Sequence, residues 1–253
     1  EVDGRIISRA VSFKGLNRRD RLCQTDIVAY EPLADRIDFT CALAANWANL
    51  RKTPPAARRI ALVLANYPNR DGRIGNGVGL DTPVSTVNAL AALAGAGYRV
   101  DDIPAGGGQL IARLLAGPTN DAGALAGRSI SEKLPPADYR AFFAGLPATV
   151  RDEVNGRWGE PEDDPLYRDG GFAIPVFVCA NVAVGLQPAR GYNIDPAASY
   201  HDPDLPPPHG YFAFYAWLRE SFKAAAVVHM GKHGNLEWLP GKSLALSADC
   251  FPE

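Results

Sequence analysis

Apolar residues along this chain fall into short unbroken runs that alternate with stretches of helical spacing. In Asp35–Leu50, Ile37, Cys41, Ala44, Ala45 and Ala48 recur at helical intervals, which predicts an amphipathic helix. Pro54 and Pro55 end it, because proline disfavours helix in the residue before it. Arg59–Ala65 is a continuous apolar run, the pattern of a strand covered on both faces of a parallel sheet. Thr82-Pro83 opens a helix with Thr82 as its cap; Val84, Val87, Leu90, Ala91 and Ala94 form its apolar face, and Gly95 and Gly97 close it. Tyr98–Ile103 predicts a second strand, completing a βαβ unit. Gln109–Leu115 reads as a helix, and Ser131–Val154 as mostly helical with Ser131 as a cap. Phe172–Val184 returns to strand-like runs. From Gly210 a helix follows with Tyr211, Phe214, Tyr215, Leu218 and Phe222 on one face, and Ala224–Val228 is a short buried strand running into His229. This alternation predicts an α/β fold: a parallel sheet of Rossmann-like βαβ units with helical insertions and long loops. The segments are a mainly helical lead-in (1–57), a βαβ lobe with a glycine-rich loop (58–128), a helical insertion with an acidic loop (129–170) and a second α/β segment (171–253), all parts of one region.

Composition narrows the classes. Of 253 residues, 47% are hydrophobic and 21% charged, which suits a globular chain and excludes disorder for its bulk. Lys and Arg number 26 against 28 Asp and Glu, so no global charge draws the chain to nucleic acid or a membrane surface. The longest uncharged stretch, Gly170–Ala189, contains Pro175, Asn181, Gln187 and Pro188 and reads as strands rather than a membrane span. Cys23, Cys41, Cys179 and Cys250 are widely spaced without a CxxC pair, as expected of inert core thiols in a reducing cytoplasm. With neither a leader segment nor an initiating methionine, the chain reads as a piece of something longer.

The candidate chemistry concentrates near the C-terminal end. In HMGKHGNLEWLPGK (229–242), His229, His233 and Glu237 recur every four residues, residue types that bind transition metals. The zinc-protease pattern is absent, because Met230 follows His229. Gly231 and Gly234 argue against a continuous helix and for a loop at the carboxyl end of a strand, where open α/β sheets bind ligands. Asn235 then caps a short helix with Glu237 in its first turn. The spacing alone equally allows a glycine-bent turn with hydrogen-bonded histidines. Gly241-Lys242-Ser243 fails as a phosphate loop, since Leu236 stands where a glycine is needed. Gly72–Gly79 is not a dinucleotide fingerprint; this long loop either connects, or brings Asn69, Arg70, Asp71 and Arg73 to ligand carboxylates. Glu160, Glu162, Asp163 and Asp164 form an acidic cluster that suits a hard cation or a solvated loop, and His201 and His209 are each either ligands or structural.

Several long runs, in the right order, resemble one family. HMGKHGNLEWLPGK at 229–242, LANYPNRDGRIGNGVGLDTP at 64–83, RWGEPEDDPLYRDGGFAIP at 157–175, QPARGYNIDPAASYHDPDLPPPHGYFAFYAWLRE at 187–220 and SFKGLNRRD at 12–20 are similar to the large subunits of cobaltochelatase and magnesium chelatase. The runs at 191–196 and 201–204 look closer to the cobalt branch. The resemblance implies an internal fragment of a tetrapyrrole- and metal-binding subunit. That subunit inserts Co2+ into hydrogenobyrinic acid a,c-diamide in aerobic cobalamin synthesis, while AAA+-type partner subunits use ATP and Mg2+ that are not bound here. It implies His229, His233 and Glu237 as metal ligands or bases, and Trp238, Arg70, Arg73, Asn76 and Arg190 as contacts to the ring or its carboxylates. The fragment alone is expected to be inactive. The alternatives are magnesium insertion into protoporphyrin IX, or a non-catalytic scaffold that docks the ATPase subunits.

Overall fold

A computed structural model describes residues 9–66, 71–191, 202–232, 239–241 and 247–253. The chain opens with an antiparallel hairpin of β1 (Ser12–Asp20) and β2 (Thr25–Pro32), then helix α1 (Ala34–Lys52). Strand β3 (Ile60–Leu64) follows, then a minimal hairpin of β4 (Asn76–Gly77) and β5 (Leu80–Asp81), and helices α2 (Thr82–Gly95) and α3 (Gly107–Ala116). Next come β6 (Lys133–Leu134), helices α4 (Pro136–Ala144) and α5 (Ala148–Trp158), and strands β7 (Phe172–Ala173), β8 (Val176–Cys179) and β9 (Val182–Leu186). Helix α6 (His209–Ala216) runs into a π-helical turn over Trp217–Ser221, and β10 (Ala226–Met230) completes the main sheet.

The main sheet has the order β10-β3-β9-β8, with β10, β3 and β9 parallel and β8 antiparallel to β9. Central strand β3 is buried along its whole length, as its unbroken apolar run predicts. Ile60, Leu62 and Leu64 face the layer of α2 and α3, where Leu90, Leu110 and Leu114 are buried. Ala61 and Val63 face the opposite layer of α4, α5 and α6, with Tyr139, Phe143, Val154 and Phe214. Helices on both faces are what a two-sided apolar strand requires. Gly185 of β9 allows the close approach on the second face: an added Cβ would lie 2.7 Å from Val176 Cγ1 and 3.0 Å from the Phe214 ring.

Four expectations are corrected. Tyr98–Ile103 forms no strand; it carries Asp101 and Asp102, the latter at φ 46°, while Val100 and Ile103 pack on the core as loop residues. The parallel neighbours of β3 are therefore β9 and β10, distant in sequence. The cap of α2 is Asp81, whose carboxylate accepts the Val84 N–H at 3.1 Å, and Thr82 is the first helical residue. Ser131 caps nothing: its hydroxyl donates to the Val176 carbonyl at 3.4 Å, and α4 begins after Pro135. Strand β10 starts two residues later than expected and is half open, with Val227 and Val228 each 42% exposed.

The lead-in departs furthest from the sequence pattern. Helix α1 forms where expected, but Ile37, Cys41, Ala44, Ala45 and Ala48, its apolar face, are all exposed. Its one buried residue is Arg36, which donates to both carboxylate oxygens of Glu253 at 2.6 and 2.9 Å and whose pKa that pairing raises. The cysteines divide: Cys179 and Cys250 are buried thiols, whereas Cys23 and Cys41 are exposed, and all four are free. Among the described residues no helix is long and apolar enough to cross a membrane.

The acidic loop and His209 are structural. Asp164 accepts the backbone N–H groups of Leu166 and Gly210 at 2.8 and 2.7 Å, Asp163 accepts that of Glu160 at 3.0 Å, and Glu162 pairs with Arg140. Asp164 is thus buried rather than solvated. His209, fully buried, has Nε2 3.0 Å from the Gly159 carbonyl and Nδ1 2.7 Å from the Tyr139 hydroxyl. A carbonyl only accepts, so Nε2 carries the proton and Nδ1 accepts from Tyr139. Burial lowers the His209 pKa, against smaller opposing effects from Gly159, Asp164, Glu160 and Glu162. The unfolded chain therefore binds the extra proton more readily, and this stability is full above the ordinary value and lost as pH falls below it. The thermal midpoint should fall between about pH 7 and pH 5, the range around an unperturbed histidine. The fall should be smaller in His209→Gln, which keeps a donor and an acceptor without titrating; calorimetry of both proteins across that range is the check.

Candidate functional site

Strands β3, β9 and β10 are parallel, so their carboxyl ends open on one side of the sheet. Asn66, Gln187 and Gly231 follow those ends, and the loop at 71–81 leads into the amino end of α2 on the same side. Three contacts hold the three exits together. The Ala65 N–H donates to the Met230 carbonyl at 2.9 Å, the Gln187 N–H to the Leu64 carbonyl at 2.9 Å, and the Asn120 side chain clamps the stretch after β9. That clamp uses both ends of the amide: Nδ2 donates to the Gln187 carbonyl at 3.0 Å and Oδ1 accepts the Ala189 N–H at 2.9 Å. The 71–81 loop is tied at its base by Asp71, which pairs with Arg128, itself bonded to Thr119 at 2.7 Å. Asp71 is therefore committed to the fold, whereas Arg73 and Asn76 are exposed.

His229 lies inside β10, next to Val63 in register, and not in the loop after the strand. Its ring stacks near Tyr215 of α6, with centroids 6.5 Å apart and planes 23° from parallel. Side chains two apart on a strand share a face. Val227, on the face of His229, lines a cavity of about 300 Å³ together with Tyr211, Phe212, Tyr215, Phe142 and Val150. His229 thus sits one step beyond an aromatic cavity, on the ring that forms part of its wall. Gly231 bends the chain immediately after β10 at φ 153°, and a Cβ there would lie 2.5 Å from Ala65 Cβ.

A buried polar group backs this cavity. Tyr211 and Tyr215 pack with centroids 5.3 Å apart, and Gln187 borders both hydroxyls. Burial raises both phenols, Tyr215 to about 12, so both stay protonated. Arg190 is 2% exposed; it donates to the Asp202 carbonyl, and its Nε and Nη1 have no hydrogen-bond partner among the described residues. Burial lowers its pKa, while Asp202 and Tyr211 oppose that shift. Both atoms of the Asn66 amide, 1% exposed, likewise have no partner among the described residues. Buried polar groups are ordinarily satisfied, and these donors and acceptors stand out among the described residues as exceptions.

Of the site residues expected from sequence, His229, Arg73, Asn76 and Arg190 are described; Arg70, His233, Glu237 and Trp238 lie outside the described residues, as do Asn69, His201 and Asn235. Among the described residues no three His, Cys, Asp or Glu side chains gather as a metal site. Sequence reasoning singled out neither Asn66 nor Gln187, and it placed Tyr211 and Tyr215 on an apolar helical face. The signal for Asn66 and Gln187 was their place, each a polar residue ending an apolar strand run.

Residues 1–253 match the family model described as CobN/Magnesium Chelatase. The chain belongs to this family. It is 60% identical over 253 residues to the aerobic cobaltochelatase subunit CobN of Sinorhizobium sp. and 54% over 253 residues to that of Pseudomonas aeruginosa, covering 100% of this chain and 20% of each relative. It is 31% identical over 229 residues to a magnesium-chelatase subunit of Rhodobacter capsulatus, covering 89% of this chain and 18% of that protein. The solved catalytic subunit of cobaltochelatase from Mycobacterium tuberculosis has the same fold, with TM-score 0.81 and 40% identity over 98% of this chain and 21% of that one. The chain thus spans about one fifth of the length of the CobN relatives it matches.

Gly231 supplies a test of the bend that ends β10 in this CobN-family chain. Gly231→Ala pushes a methyl into Ala65 and should destabilise the chain by about 1–3 kcal/mol, the range for overpacking a close contact. Ala65→Gly in the same chain should return part of that loss; denaturant titration of the single and double variants measures it.

Proposed function

We propose that this chain is the tetrapyrrole- and metal-binding part of a cobaltochelatase large subunit. In the complete enzyme it would serve the insertion of Co2+ into hydrogenobyrinic acid a,c-diamide, with ATP hydrolysed by AAA+-type partner subunits. The observation that carries this is the stacking of His229 on Tyr215 at the end of the aromatic cavity, at the head of the 229–242 run. The cavity is at the small end for a ligand pocket and suits one edge of a macrocycle.

Each residue then has a chemical task. A free corrinoid ring loses its N–H protons as the metal enters, so a base must stand within hydrogen-bond reach. Glu237 is assigned that role. His229 and His233 are assigned as exchangeable ligands that deliver Co2+, because imidazole with carboxylate suits cobalt better than magnesium, which prefers oxygen and keeps its waters. Arg190 and the arginines of the glycine-rich loop, Arg70 and Arg73, are assigned to ring carboxylates, with Asn76 and Trp238 holding the macrocycle. The Nε and Nη1 of Arg190, without a hydrogen-bond partner among the described residues, support its share of that task. Four free cysteines suit a reducing compartment, and the reaction is placed in the cytoplasm.

A second reading, magnesium insertion into protoporphyrin IX, has the 31% identity to a magnesium-chelatase subunit behind it. The much higher identity to two cobaltochelatase subunits favours cobalt. Comparing the binding of a corrinoid and a porphyrin decides between them. In the full complex, Glu237→Gln should lower cobalt insertion by about 10²–10⁴-fold, the usual contribution of a positioned base, with corrinoid binding retained. Unchanged turnover in that variant would remove Glu237 from the chemistry.

A further inference from the structure

The first 44 described residues contain no apolar side chain that is buried. Across 9–52 the single buried residue is Arg36. Helix α1 presents Ile37, Cys41, Ala44, Ala45 and Ala48 along one exposed face, beside a half-exposed Trp47. The hairpin does the same. Leu16 and Val28 are cross-strand partners, Tyr30 lies two residues along on the same face, and they are 63%, 55% and 67% exposed. Such contiguous apolar faces mark interaction surfaces.

Stability says what kind of cover they need. An isolated two-stranded hairpin is marginal in water, and helices in proteins draw most of their stability from packing an apolar face. Here α1 is held through Arg36 to Glu253, and the hairpin joins it through a backbone bond from Leu33 N–H to the Val11 carbonyl. A cover that came and went would leave these apolar faces without packing during each absence. The cover must therefore be permanent, and chain covalently continuous with these residues meets that condition. The cobaltochelatase relatives carry about five times this length, enough to supply it.

We propose that the exposed faces of α1 and of the β1–β2 hairpin are an internal interface, occupied by the remainder of the same large-subunit polypeptide and not by the ATPase subunits. This rests on the chain working inside a subunit of its relatives' length, as proposed above. Cys41, in the middle of the helical face, reports the cover directly.

The experiment uses the full-length large subunit, labelled with N-ethylmaleimide and quantified at the Cys41 peptide by mass spectrometry. It is run alone over a hundredfold range of concentration, with the ATPase subunits added, and in denaturant as the reference. Cys41 should react at least roughly a hundredfold more slowly in the native subunit alone than in denaturant, since a covered thiol reacts only through local opening. That protection should not depend on concentration or on the ATPase subunits. Fast labelling of the subunit alone overturns the proposal, whether or not the ATPase subunits then slow it. Protection that grows with concentration assigns the face to a second copy and overturns it equally. Cobalt insertion is assayed on the same sample, so a subunit that protects Cys41 without chelating would keep the interface and reject the proposed activity.

Discussion

Strand β3 is the constraint on which the described fold depends. Its backbone pairs with β10 on one edge and β9 on the other, and its side chains are buried on both faces. Neither neighbour is near it in sequence, so both helical layers must be in place before the five-residue run is covered. Truncating Leu62 or Leu64 in such a position costs about 2–5 kcal/mol in comparable cores. The same pairing fixes the chemistry. Parallel strands send their exits to one side, so three segments from distant parts of the chain converge around Asn66, Gln187 and Gly231.

Around that convergence, β10 combines a packed aromatic side with an open edge. Toward α6, the strand meets an aromatic wall in which Tyr211 and Tyr215 keep their protons and His229 lies against a ring. The outer edge of β10 has no strand beside it among the described residues, and Val227 and Val228 are partly exposed. A histidine at the end of an edge strand is easier for a bulky planar guest to approach than one in the sheet interior. His209, the buried histidine among the described residues, shows the contrast: both ring nitrogens are used within the fold, by Tyr139 and Gly159.

Much of the fold was legible. The apolar run at 59–65, the helices at 82–95 and 107–116, and the strands within 172–186 follow from periodicity and from glycine and proline at their ends. The errors share one cause. Tyr98–Ile103 looked like a strand because it lies where a βαβ unit needs one, and Thr82 looked like the cap in place of Asp81 because both are capping residues one position apart. Local pattern does not say which of two acceptable conformations the neighbours select.

The sequence by itself determined the family, the element types of the long periodic segments, and the concentration of metal-binding residue types in the 229–242 run. These depend on local spacing or on many residues matched in order. Only the tertiary structure decided that Asp164 and His209 pin loops and that Tyr215 stands against His229. It alone left the apolar face of α1 uncovered. Each of those outcomes depends on what lies across a gap of many residues, and a one-dimensional pattern carries the identity of a side chain but not of its neighbour.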